Sequence, residues 1–213
     1  MKKKETKNIA VKCNWNDAGY KWICSDAAYR YNIKNKNKWC SNEYCGCREF
    51  VEFDKFAFPC FDSVIFRDYC VRISGSPWRI KNTEEGKIAL LTTRDPDCIE
   101  EDRFIFGFLY IEDLYETDEN GYLCTEVYGN KNKSLKIDDH IMRYMKFWDY
   151  YENANSYKMH WGSGLFRYVE NVAIYRFLCD LEENYEKYEG DKAVLPIIKE
   201  LIQEYRGYYV DEC

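Results

Sequence analysis

The clearest pattern of apolar and polar residues lies in the middle of the chain and predicts strands. Lys87–Thr93 is a short apolar segment of residues that suit a strand, and Gly86 precedes it. In Arg103–Tyr115, successive side chains of an extended chain would point to opposite faces, and both faces are apolar. A strand that is apolar on both faces belongs inside a sheet, so we predict that Arg103–Tyr115 is central.

The dipeptide Asn120-Gly121 predicts a hairpin turn, after which Tyr122–Tyr128 returns as the partner strand. Beyond this hairpin, apolar residues recur at helical spacing. We predict three helices there: one capped by Asp138 or Asp139 and carrying Ile141, Met145 and Trp148, one near Val169–Tyr185, and one over Asp191–Tyr205 with Pro196 in its first turn. Strands followed by helices indicate an α+β fold rather than alternating βαβ units.

The first fifty residues differ from the rest in their cysteine content. Residues 10–50 show no sustained periodicity, which is typical of a loop-rich metal module. They contain five of the eleven cysteines, namely Cys13, Cys24, Cys40, Cys45 and Cys47. Zinc takes four ligands and favours thiolates, and neither histidine is close in sequence, so we predict a structural Zn²⁺ site made of cysteines alone. Which four of the five bind the metal stays open.

Two other interpretations of these cysteines remain. They are a group of buried free thiols, or an iron–sulfur cluster that also uses Cys60 or Cys70. The dense placement in a polar segment favours a metal over free thiols.

Charge is distributed unevenly along the chain. Residues 1–50 carry 11 Lys or Arg and 5 Asp or Glu, whereas the rest of the chain carries 20 Lys or Arg and 32 Asp or Glu. A basic head on an acidic body suits a protein that approaches an anionic partner from one side. No apolar segment follows the initial Met-Lys-Lys-Lys, and no stretch is long enough to span a membrane, so we expect a cytoplasmic protein with no membrane partner.

Two loop segments combine aromatic and basic residues. In the first, a Gly–Pro turn presents Trp78 and Arg79, a pair suited to stacking on a base and binding phosphate. In the second, Gly162 and Gly164 lie between Trp161 and Arg167. The alternatives are a Trp that covers a sheet edge and a glycine turn that leads into a helix.

Common catalytic signatures are absent from the sequence, including the P-loop, H-E-x-x-H, G-x-S-x-G and the dinucleotide fingerprint. Acidic residues such as Glu52, Asp54 and Glu101 are more typical of solvated surfaces than of a magnesium site. We therefore assign no catalytic residue, and the sequence leaves open whether the protein is an enzyme.

Two segments resemble PUA-like domains of the EVE, YTH and ASCH kind. They are Gly86-Lys-Ile-Ala-Leu-Leu-Thr-Thr-Arg94 and Glu101-Asp-Arg-Phe-Ile-Phe-Gly-Phe-Leu-Tyr-Ile111. The resemblance covers roughly residues 50–180. It implies a small mixed β-barrel with flanking helices that binds nucleic acid, and several such domains hold a modified or flipped base in an aromatic pocket.

Together, the residues and the resemblance predict three parts: a zinc module at 1–50, a PUA-like barrel at 51–185, and a helical extension at 186–213. The expected function is a non-catalytic reader of DNA or RNA that binds a base, modified or flipped, and works alone or beside a nuclease partner. The expected nucleic-acid contacts are Trp78, Arg79, Lys81, Arg94, Trp161 and Arg167. The competing functions are a metal-dependent nuclease or hydrolase, and a protein-interaction regulator of a phage or defence system.

Overall fold

The computed structural model describes residues 6–13, 15–18, 24–34, 70–74, 80–119, 122–152, 159–162 and 166–210. Within them the fold is α+β, as predicted. The strands are β1 (Asn8–Lys12), β2 (Cys70–Ser74), β3 (Ile88–Thr93), β4 (Phe104–Glu119), β5 (Tyr122–Gly129), β6 (Leu135–Lys136) and β7 (Phe166–Val169). The α-helices are α1 (Asp26–Lys34), α2 (Asn171–Lys187) and α3 (Leu195–Val210).

The strands form one mixed sheet in the order β2-β5-β4-β3-β1-β7, and β6 pairs with β4 beside this path. β1 and β3 are parallel, with Lys12 opposite Thr92. The other pairs are antiparallel, including β1 with β7, where Ala10 lies opposite Arg167. The carboxyl ends of β1 and β3 therefore lie side by side at one edge of the sheet.

β4 is the central strand, which confirms the prediction from its two apolar faces. Its first half pairs with β3 up to Tyr110, and its second half pairs with β5 from Ile111 onward. Glu119 lies opposite Tyr122, so β4 and β5 pair as the predicted hairpin, whereas Asn120 and Gly121, predicted to form its turn, lie outside the described residues. Apolar residues of the first half, such as Phe108, are completely buried.

A second chain segment runs along the outer side of the first half of β4. Gly107 of β4 lies opposite Lys136 of β6, and a Cβ atom at Gly107 would be 2.8 Å from the backbone oxygen of Leu135. Glycine is required there because β6 approaches the β4 backbone closely. Further along, the Ile105 N–H donates to the Met145 carbonyl.

This pairing corrects the prediction of a helix capped by Asp138 or Asp139. The segment instead contains two short 3₁₀ turns, Met142–Tyr144 and Phe147–Asp149. The predicted apolar residues are buried as expected, because Ile141 and Met145 are 0% exposed and Trp148 is 6% exposed. The backbone is extended between the two turns, so the pattern identified the core residues but not the local structure.

The two long C-terminal helices pack against each other and against the sheet. Phe177 of α2 meets Phe108 of β4 edge to face, with ring centroids 6.1 Å apart. Both helices were predicted, and Pro196 lies in the first turn of α3, where its missing N–H costs nothing. Val169 was expected in α2 but is the last residue of β7.

The N-terminal region contributes directly to this sheet, because β1 lies between β3 and β7. Helix α1 was not predicted. In the described residues β2 and β7 end the strand order and do not pair with each other, so the small barrel stays a prediction, as do the zinc module and the domain limits. No α-helix in the described ranges is both long and apolar enough to cross a membrane.

Candidate functional site

Four basic residues meet at the edge where β1 and β3 end. Lys12 is the last residue of β1, Arg94 follows β3, Arg103 precedes β4, and Arg167 lies in β7. We call these four residues the basic cluster. The fold brings them together because parallel strands end at the same edge, whereas β4 and β7 run antiparallel to them and begin there. Ligands commonly bind outside the carboxyl ends of parallel strands.

Arg103 is the innermost member of the cluster and is only 3% exposed. Its Nε donates to Glu100 Oε1 at 2.5 Å, and its Nη2 donates to Glu100 Oε2 at 3.2 Å. The indole N–H of Trp148 donates to the backbone oxygen of Glu100 at 2.7 Å, which fixes the turn that carries the carboxylate. A paired arginine of this kind is geometrically well defined, because the guanidinium fork matches the carboxylate.

Trp161 forms the apolar wall of the cluster and is 1% exposed. Its ring lies 4.9 Å from the Arg103 guanidinium and 5.8 Å from that of Arg167, so both contacts are in the cation–π range. Phe147 supports the ring, with centroids 5.0 Å apart. The indole therefore positions the two arginines.

Gly162 shapes the entrance beside Arg167. Its φ angle is +76°, a left-handed conformation that favours glycine. A Cβ atom there would lie 2.9 Å from Arg167 Nη2. The glycine thus allows the backbone to pass closely beside the guanidinium group.

The electrostatic balance of the cluster is positive. The pKa of Lys12 is lowered from its ordinary value, first by burial and then by the positive charge of Arg103, while Glu100 opposes this shift and Arg94 and Arg167 add to it. Glu100 Oε2 is also 3.6 Å from Arg94 Nη1, so one carboxylate forms ion pairs with two arginines. Among the described residues, no carboxylate forms an ion pair with Lys12 or Arg167.

Two further ion pairs border the cluster and do not neutralise it. Arg143 pairs with Asp95, and Lys146 Nζ lies 3.3 Å from Asp102 Oδ1. Each of these carboxylates has its own cation. The excess positive charge therefore stays on Lys12, Arg167 and the shared Arg94.

The structure brings together three of the six residues predicted to contact nucleic acid: Arg94, Trp161 and Arg167. Trp161 is buried under the arginines. Lys81 lies outside the basic cluster. Its N–H donates to Tyr168 Oη at 3.0 Å, and the Tyr168 side chain points to the opposite face of β7 from that of Arg167. Trp78 and Arg79 lie outside the described residues.

Two of the five predicted zinc ligands can be placed. Cys13 follows β1 and Cys24 precedes α1, and both are buried. Burial raises the pKa of Cys13 to about 12, although the nearby Arg103 acts against this shift. Cys40, Cys45 and Cys47 lie outside the described residues, and the described part of the chain contains no group of three or more His, Cys, Asp or Glu that could hold a metal ion.

Sequence patterns did not identify Lys12, Arg103 or Glu100 as site residues. Arg103 and Glu100 are only three positions apart, which is the one local signal for their ion pair. The register of β1 against β3 is needed to place Lys12 beside them. No protein-family model, curated protein or solved structure matches this chain.

Proposed function

We propose that this protein is a non-catalytic nucleic-acid reader whose basic cluster binds phosphate. One observation carries the proposal: four cations from four separate segments lie together at one edge of the sheet, where a single carboxylate, Glu100, pairs with only two of them, Arg94 and Arg103. Isolated cations repel one another, so an arrangement of this kind favours an anionic ligand. Arginine also supplies the planar donor fork that suits phosphate.

The site contains a buried supporting part and an accessible part. Arg103 and Trp161 are almost fully buried, whereas the Arg94 side chain is 36% exposed and Lys12 and Arg167 are half-buried. The accessible cations are the groups available to a phosphate. The buried ones hold them in place and exclude water from one side, which strengthens charge interactions.

In this proposal, an aromatic residue other than Trp161 binds the base. The Trp161 ring is covered by guanidinium groups, so its role in the proposal is to position Arg167. Trp78 is the aromatic residue proposed to stack on a base, flipped or modified, with Arg79 beside it. The PUA-like barrel belongs to the same proposal, with β4 as its central strand.

Replacing Arg94 or Arg167 with Ala should weaken binding to short single-stranded DNA or RNA about tenfold for each substitution. The loss should be similar across sequences, because phosphate contacts do not distinguish bases. Fluorescence anisotropy at several salt concentrations measures both affinity and salt dependence. Each substitution should reduce the slope of log affinity against log salt by about one.

Arg206→Ala is the matched control, because Arg206 is exposed on α3, near the opposite end of β1. It should bind as the unsubstituted protein does. Equal binding by all the variants would refute the phosphate site. Strand cleavage that is lost in Glu52→Gln or Asp54→Asn would favour the nuclease, and no affinity for any nucleic acid would favour a protein-interaction module.

The zinc module is the second part of the proposal. Elemental analysis of the purified chain should find about one zinc per chain and a colourless protein. Cys24→Ser should reduce the zinc content, whereas Cys179→Ser, which alters a cysteine on α2, should not. Iron with a visible chromophore would instead support a cluster, and a metal-free protein would contradict this part of the proposal.

A further inference from the structure

The structure points to a specific ligand group, an inference that rests on the proposed function. We infer that the basic cluster binds the terminal phosphate monoester of a nucleic-acid strand rather than an internal phosphodiester. Three features of the cluster support this choice: its uncompensated charge, the segments that line it, and its hydrogen-bond donors.

The charge of the cluster suits a dianion. Lys12 and Arg167 have no carboxylate partner among the described residues, and Arg94 shares Glu100 with Arg103. A phosphate monoester carries a charge of about −1.5 to −2 at neutral pH, whereas an internal phosphodiester carries about −1. A terminal phosphate therefore compensates up to two of the three cations that Glu100 leaves in excess, whereas an internal phosphate compensates only one.

Three chain segments line the cluster on its inner side. Cys13 continues from β1 and is buried near Arg103. The Glu100–Asp102 turn holds Arg103, and the Trp161-Gly162 backbone passes beside Arg167. An internal phosphate has the strand on both of its sides and needs an open groove, whereas a terminal phosphate enters from one side.

The donors also match a group with several free oxygens. Arg94 and Arg167 each present a guanidinium fork, and the Lys12 ammonium group lies close enough to both arginines for their charges to lower its pKa. A monoester has three terminal oxygens that accept hydrogen bonds, and a diester has two. More charge-assisted hydrogen bonds can therefore form with a strand end.

The test compares strands of one sequence that carry a 5′-phosphate, a 3′-phosphate, or hydroxyl groups at both ends. The unsubstituted protein should bind one of the phosphorylated strands about tenfold more tightly than the hydroxyl strand. Arg167→Ala and, separately, Lys12→Met should remove this preference, so that each variant binds the three strands with equal affinity. Arg206→Ala should retain it, and circular dichroism should confirm that every variant is folded.

The alternative outcomes are distinguishable. Equal binding of all three strands, with affinity lost in Arg94→Ala and Arg167→Ala, would refute the terminal phosphate and leave the proposed function standing. No binding of any strand would refute both. Competition by a nucleoside monophosphate or inorganic phosphate as strong as that of the strand would show that the ligand is a small phosphate compound, which also contradicts the inference.

Discussion

Asn8→Ala should lower the free energy of unfolding by about 3–4 kcal/mol, because it removes the centre of a buried polar network. Asn8 is the first residue of β1 and is 0% exposed. Its Oδ1 accepts hydrogen bonds from the Ile88 N–H at 2.8 Å and from the Tyr205 hydroxyl at 2.6 Å. Its Nδ2 donates to Asn171 Oδ1 at 2.9 Å.

The large expected cost follows from what the substitution leaves behind. Alanine cannot bond to the Ile88 amide or the Tyr205 hydroxyl, and each buried polar group without a partner costs about 1–3 kcal/mol. Asn171 Oδ1 retains a weaker contact with Lys87 Nζ at 3.3 Å, which limits the loss on that side. One side chain therefore joins β1 to β3, α2 and α3.

Tyr205→Phe is the matched control, because it removes one hydroxyl and preserves the ring. Tyr205 is 2% exposed, and burial raises the pKa of its hydroxyl, so the group stays neutral. Its loss should cost about 1 kcal/mol. Urea unfolding followed by tryptophan fluorescence measures both values, and equal effects of the two variants would contradict the central role of Asn8.

The centre of the sheet can be predicted from sequence because its signals are local and agree with one another. Alternating apolar residues mark β4, and Asn120-Gly121 marks the turn into β5. The long helices α2 and α3 are predictable for the same reason, since their apolar residues repeat at helical spacing. Each of these elements is long, so the pattern is repeated several times.

Elements whose structure depends on distant partners are harder to predict. Ile141 and Met145 have helical spacing, but the Met145 carbonyl accepts the Ile105 N–H and the Phe147 N–H donates to the Arg103 carbonyl. These hydrogen bonds to the start of β4 replace those of a helix. Helix α1 has no apolar stripe, since its buried residues are Ala28 and Asn32.

In the candidate site too, residues marked by a local pattern could be predicted, and residues placed by distant partners could not. Aromatic and basic composition pointed to Trp161 and Arg167, and Arg94 was among the expected nucleic-acid contacts. Lys12 and Arg103 could not be identified, because the neighbours of a residue at the end of a strand are set by strand order and register. The parallel pairing of β1 with β3 joins residues about eighty positions apart, and no local pattern reports it.

Substitution of Arg103 and of Lys12 should separate the buried supporting part of the cluster from its accessible part. Arg103→Met should lower the free energy of unfolding by about 2–3 kcal/mol, because Glu100 loses its bidentate partner while it is largely buried. Arg94, at 3.6 Å from that carboxylate, offsets part of the loss. Adding Glu100→Gln to Arg103→Met should recover stability, since the unpaired charge is then gone.

Lys12→Met should have the opposite effect on stability. Methionine keeps the apolar stem and removes a cation that burial and neighbouring arginines disfavour, so stability should rise by up to about 1 kcal/mol at low salt. The gain should shrink as salt screens the repulsion, whereas the Arg103→Met loss should persist because that pair is buried. A residue whose removal stabilises the free protein but abolishes the preference for a phosphorylated strand is retained for its ligand. If Lys12→Met instead destabilises the protein as much as Arg103→Met does, the whole cluster supports the fold and the binding proposal loses its basis.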